Sequence, residues 1–162
     1  MQGPKNLPAG NSFEAEEDAM RCADCMRPEI QAYLEYAASK FNKNADGASW
    51  ALTWGFADLL RQFHGDLTML ERTAATYTEM TAESRTAARE CKERVQGILL
   101  AMRLKGFSTT ALAWAMLGAL SNINTQITHA RIRNPKRAKR EADKFTENLI
   151  MALNKARQTV LN

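Results

Sequence analysis

Residues 29–134 contain no proline; Pro4, Pro8 and Pro28 lie near the start and Pro135 closes the interval. Helix interiors tolerate proline least of all residues, because it removes a backbone donor and clashes with the preceding turn. So long a stretch without it suits long helices. The side chains agree. Valine occurs only at Val95 and Val160, while Ala, Leu, Met, Glu, Lys and Arg are plentiful. Unbranched side chains keep most of their rotamer freedom in a helix, which favours helix over strand. With 162 residues, 45% of them apolar and 25% charged, the chain is long enough to bury a real core in one domain.

Residues 1–11 hold two prolines, two glycines and two asparagines and read as a flexible tail ahead of a helical domain over 12–162. Ser12 is the expected N-cap of a short peripheral helix to about Met26, with Glu14, Glu16, Glu17 and Asp18 in its first turns. Pro28 fits the first turn of a second helix. Its stripe is Ile30, Tyr33, Leu34, Ala37 and Phe41. A third carries Leu52, Phe56, Leu59, Leu60 and Phe63 on one side and Trp50 and Trp54 on another, and Gly65 stops it. Asp66 is the expected cap of a fourth. There the run from Leu67 through Ala74, Tyr77, Thr81, Ser84, Ala88, Cys91 and Val95 to Met102 keeps steps of three and four. This predicts one long or kinked helix, with a weakly packed waist at Thr81 and Ser84; the alternative is a break near 80–84. Gly106 sits at a natural C-terminal glycine position.

The next 25 residues, 106–130, carry no Lys, Arg, Asp or Glu, and residues 131–140 carry six positive charges and no negative one. Ser108 is the expected cap of the uncharged helix, and Asn134 with Pro135 marks the start of the last. The strongly apolar part of the uncharged helix, 111–120, is ten residues long, short of the roughly 18–20 that a membrane span needs. A bundle core is the better place for it. The expected fold is all-α: a single-domain bundle of about six helices, with a long fourth helix and a central uncharged fifth.

Net charge is −3 over residues 1–30, +1 over 31–105 and +6 over 106–162. Arg131 and Arg133 end one helix, where cations suit the dipole; Lys136, Arg137, Lys139 and Arg140 open the next, where they oppose it at roughly 0.3–1 kcal/mol each. With Lys144 they form the candidate nucleic-acid-binding set. Arg and Lys around a helix N-terminus suit phosphate. An acidic protein surface or anionic lipid fits the same charge, and so do a plain solvated face and a docking place for the chain's own acidic first helix. No aromatic residue interleaves these cations, so strand stacking is not indicated. No helix-turn-helix pattern supports base-specific reading.

Other chemistry has little to stand on. Cys22 and Cys25 form a CxxC, but only Cys91, His64 and His129 remain as further ligands, and none makes a second close pair. No metal or cofactor is expected. Three cysteines suit a reduced, cytoplasmic setting, and the polar, then acidic N-terminus has no signal-peptide pattern. No nucleotide-binding or metalloprotease motif occurs, and the two histidines have no nucleophile near them in sequence, so the chain reads as a binding protein and not an enzyme. Trp50, Trp54, Phe56, Tyr77 and Trp114 are candidates for a ligand pocket, and Asn122, Asn124, Gln126 and His129 for a polar pocket or interface.

From Pro28 onward the order of elements resembles the effector-binding domain of TetR-type regulators. The segment GFSTTALAWAMLGALSNI, a basic turn and the final DKFTENLIMALNKARQTVL look like the last two helices of such domains. The resemblance implies a homodimer through those helices and a ligand- or protein-binding role, without that family's DNA-binding domain. The leading expectation is a helical protein that contacts nucleic acid, or a nucleoprotein partner, through its basic corner.

Overall fold

The computed structural model describes the backbone of residues 9–41, 45–64 and 67–161, and the side chains within them from Glu16 to Gln158 apart from His64. All six elements are helices: α1 (Ala9–Lys40), α2 (Asp46–His64), α3 (Thr68–Glu79), α4 (Ala82–Leu104), α5 (Thr109–Arg131) and α6 (Pro135–Leu161). The expected all-α bundle of six helices is what forms. Two of its internal boundaries differ from expectation and offset each other in the count.

The first difference is α1, one helix where two short ones were expected. It begins before Ser12 and passes straight through Pro28. Cys22, Met26, Ile30, Tyr33 and Ala37 are all buried, at steps of four, four, three and four. That stripe crosses the proline without a phase shift. Burying a side chain such as Met26 or Ile30 contributes about 1.5–3 kcal/mol, so the two together offset the ~3 kcal/mol cost of an interior proline. Pro28 itself is exposed. The tail assigned to 1–11 and the cap assigned to Asp66 fall largely or wholly outside the described residues.

The second difference is the break between α3 and α4, so the fourth helix is not the single long one expected. Met80 and Thr81 are extended (ψ 158° and 159°), and the Thr81 hydroxyl accepts from the Ser84 N–H at 3.1 Å. A threonine that can cap competes with helix continuation. Arg85 completes the junction: its guanidinium donates to the carbonyls of Thr78, at 3.3 Å, and of Met80. Those carbonyls end α3 and would otherwise lack partners. The two parts also pack differently. In α4, Ser84, Ala88, Cys91, Val95, Ile98 and Met102 are buried, as the spacing predicts; in α3 only Thr73 is.

Side-chain bonds set the directions. Lys40 pairs with Glu90 at 2.9 Å and the Tyr33 hydroxyl donates to the Ala48 carbonyl at 2.7 Å, so the end of α1 lies beside the starts of α2 and α4. Arg103 donates to Gln62 and, at 3.2 Å, to Thr109, which gathers the ends of α2 and α4 with the start of α5 at the far end. Helix α5 therefore runs parallel to α1 and antiparallel to α2 and α4. The reversal into α5 is made by Gly106 (φ 96°), where the Phe107 N–H reaches the Met102 carbonyl and the Gly106 N–H the Arg103 carbonyl. This is the αL glycine cap expected there. Ser108 then caps α5 through the Ala111 N–H.

Helices α2 and α5 are central. Helix α2 packs on α3, α4, α5 and α6, and α5 on α1, α2, α4 and α6. Ala111, Leu112, Ala113, Ala115, Met116 and Leu117 are buried almost all round α5, which is why this stretch carries no charge. Helices α2 and α4 approach closely at Gly47, where an added Cβ would stand 2.7 Å from the Ala88 backbone nitrogen.

Candidate functional site

The basic corner forms where α5 ends and α6 begins. Arg131 lies in the last turn of α5 and Arg133 in the three-residue link. Asn134 accepts the Arg137 N–H on its side chain at 3.1 Å and the Ala138 N–H on its carbonyl at 2.9 Å, and Pro135 takes the first helical position, as the sequence predicts. Pro135 has no N–H and the Arg137 N–H goes to the cap, so the N–H groups of Asn134 and Lys136 are what this helix start leaves over. The expected cradle of free backbone donors is thus reduced to two of four, one lost to the cap and one to the proline. Side-chain charge is the larger part of what the corner offers.

That charge is fully presented. Arg131, Arg133, Lys136, Arg137, Lys139, Arg140 and Lys144 are all exposed. Ala138, Ala142, Leu149, Leu153 and Ala156 turn the opposite face of α6 into the core. Lys139 pairs with Asp143 at 2.7 Å, which raises the affinity of its amine for a proton. The other six make no ion pair or hydrogen bond with the described residues through their side chains. Nor does the acidic start of α1 cover them. Because α1 and α5 are parallel, Glu16, Glu17 and Asp18 lie at the end of the bundle where α5 begins, away from the corner. Their place on α1 is more than 20 residues before Lys40, or about 30 Å along the helix.

The expected aromatic pocket is divided. Trp50 stacks on Trp54 with centroids 5.3 Å apart, tilts against Tyr77 at 5.1 Å and donates to the Thr73 carbonyl at 2.7 Å. This cluster staples α3 onto α2. Phe56 is fully buried core, and Trp114 lies on another face. A cleft of about 700 Å³ beside the staple is lined by Thr53, Thr73 and Thr76, whose hydroxyls bond back to their own helix carbonyls.

The sequence pattern gave no direct sign of a groove of about 890 Å³ between α1 and α5. Met20, Ala23 and Leu34 of α1 face Trp114, Ala119 and Ile123 of α5 across it. Of the proposed polar row, Asn122 and Gln126 reach its rim; Asn124 and His129 do not. Its signal was a widening of the buried stripe on α1, with apolar residues at 19, 23 and 34 beside Met26 and Ile30. That widening is hidden once α1 is divided at Pro28.

The cysteines are packing residues. Cys22 and Cys91 are fully buried, and burial pushes the Cys22 thiol up to about 11, with Cys25 and Asp18 adding to the effect. Among the described residues no three His, Cys, Asp or Glu side chains are grouped to hold a metal ion, and no helix is long and apolar enough to cross a membrane.

No known family, characterised protein or solved structure matches this chain. The likeness of the last two helices to TetR-type effector domains therefore rests on sequence pattern alone.

Proposed function

We propose that the protein is a cytoplasmic, non-enzymatic binding protein whose basic corner holds the phosphate backbone of a nucleic acid. The observation that carries this reading is the set of six exposed cations without partners among the described residues, of which Lys136, Arg137 and Arg140 crowd a helix start whose dipole does not favour them. Local cost without local compensation favours an external anion. Phosphate contacts position a protein without reading sequence, so duplexes of unrelated sequence should bind alike. The test is affinity against salt for wild type and for a K136Q/R137Q/R140Q/K144Q variant. Every phosphate that the variant no longer neutralises should flatten the logarithmic salt slope by about 0.9 on duplex DNA. Those side chains anchor nothing in the fold, so the variant should melt no lower than wild type. No wild-type binding at low salt refutes the proposal, and leaves an acidic protein surface as the partner to pursue.

The α1/α5 groove favours a second reading, a ligand- or protein-binding module. Its dimeric form would pair α5 and α6 between copies. The apolar face of α6 is already covered within the chain, so such a dimer would use the outer faces, and light scattering would report it.

A further inference from the structure

The α1/α5 groove has apolar walls and three charged residues at its edge, of which Arg157 is the partly buried one. At about 890 Å³ it falls in the range of small-ligand sites. Arg157 of α6 lines it. Ser121 and Thr146 are hydrogen-bonded where α5 and α6 cross, and Arg157 lies eleven residues beyond Thr146, about 16 Å further along the helix. That places Arg157 toward the end where α1 and α5 begin, the end of the groove that Trp114 also lines.

Arg157 is partly buried and bonds to no described residue, and the Trp114 indole N–H has no partner among them either. Two kinds of donor, one cationic, thus lack acceptors at the head of an apolar groove. A guanidinium taken partly out of water without an anion is costly, and a carboxylate fits its fork. The remaining rim charges limit the ligand's own. Arg27 is paired with Asp24 at 2.9 Å, and Glu16 stands on the same rim. One unpaired cation with an acid nearby accepts a singly charged head and disfavours a doubly charged one.

We infer that this groove binds an amphiphilic monocarboxylate, with the acid on Arg157 and Trp114 and an apolar chain running toward Leu34 and Ile123. The site is separate from the basic corner, and its failure would leave the phosphate reading untouched.

The test is titration of the protein with the fluorescent polyene fatty acid cis-parinarate and with its uncharged methyl ester. The acid should bind about tenfold or more tightly than the ester, the worth of a charge-assisted hydrogen bond. R157Q should remove that preference and leave ester binding and the melting curve unchanged. E16Q should leave acid binding as tight or slightly tighter. A119W, which fills the floor, should abolish binding of both probes. Equal binding of acid and ester, an R157Q variant with the wild-type preference, binding that survives A119W, or no acid binding at all would each overturn the inference. The last outcome would open the groove to a partner's amphipathic helix instead.

Discussion

The same substitution, glycine to alanine, should change stability in opposite directions at two helical positions. Gly97 lies exposed in the interior of α4, and a Cβ there meets nothing within 4 Å. Only the propensity difference acts, about 0.8–1.0 kcal/mol in favour of alanine. At Gly47, in the first turn of α2, an added Cβ would stand 2.7 Å from the Ala87 Cβ, 2.7 Å from the Ala88 nitrogen and 2.9 Å from the Ala87 carbonyl carbon. Two of those atoms are backbone, so relief requires α2 and α4 to move apart. Overpacking of this kind costs about 1–3 kcal/mol, and the propensity gain is smaller at a helix end. G47A should therefore lose about 1–2 kcal/mol. In a chain of this size 1 kcal/mol moves the midpoint by roughly 2–4 °C, so thermal melts should place G97A above wild type and G47A below it. If G47A melted as high as G97A, the close approach of α2 and α4 would be wrong, and with it the register of the central packing.

Two further outcomes follow from the caps and the buried thiols. N134A and T81A each remove a side-chain acceptor from a helix start and should each lower stability by about 1 kcal/mol in denaturant titrations; T81A matching wild type would mean that the α3/α4 break does not depend on its cap. Cys22 is raised from its ordinary value of 9.0 to about 11, and burial also raises the Cys91 thiol and the Tyr33 hydroxyl. A group whose folded-state value is raised holds its proton more tightly when folded, so its stabilisation is complete below the unfolded value and lost as pH rises through the folded one. Melting temperature should be flat up to pH 9 and fall between 9 and 11, and C22A should make the fall shallower. An equal fall in C22A would assign it to other groups.

The core of the bundle was readable because burial and periodicity agree there. Val95, Ile98 and Met102, or Leu149 and Leu153, are apolar, regularly spaced and buried. Capping was readable where side chain and backbone ask for the same thing, as at Ser108, Asn134 and Gly106. Misreading came where two local signals compete. Pro28 looks like a helix start and Thr81 like a mid-helix residue; tertiary burial overrules the first, and a cap hydrogen bond with help from Arg85 decides the second. The corner's charges were plain in the sequence. That the Asn134 cap and Pro135 leave only two of its backbone donors was not, because it depends on which N–H each acceptor takes. The groove was least legible of all, since its walls come from 16–34 and 114–126 and Arg157 comes from further on.

The parallel run of α1 beside α5 also bears on how the bundle comes together. Helix α1 packs on α4 and α5 and scarcely on α2, its neighbour in the chain. Helices α2 to α4, and then α5 and α6, can find partners close by in sequence. The stripe of α1 meets Ala115 and its neighbours only by closing a loop of some eighty residues or more, and such distant contacts form late because loop closure must be met first. Seating α1 against α5, like seating α6 against α2, is thus among the slower steps of assembly. Met26 and Ile30, buried once α1 is seated, are the apolar side chains that such a delay would leave uncovered, in the segment that walls the groove.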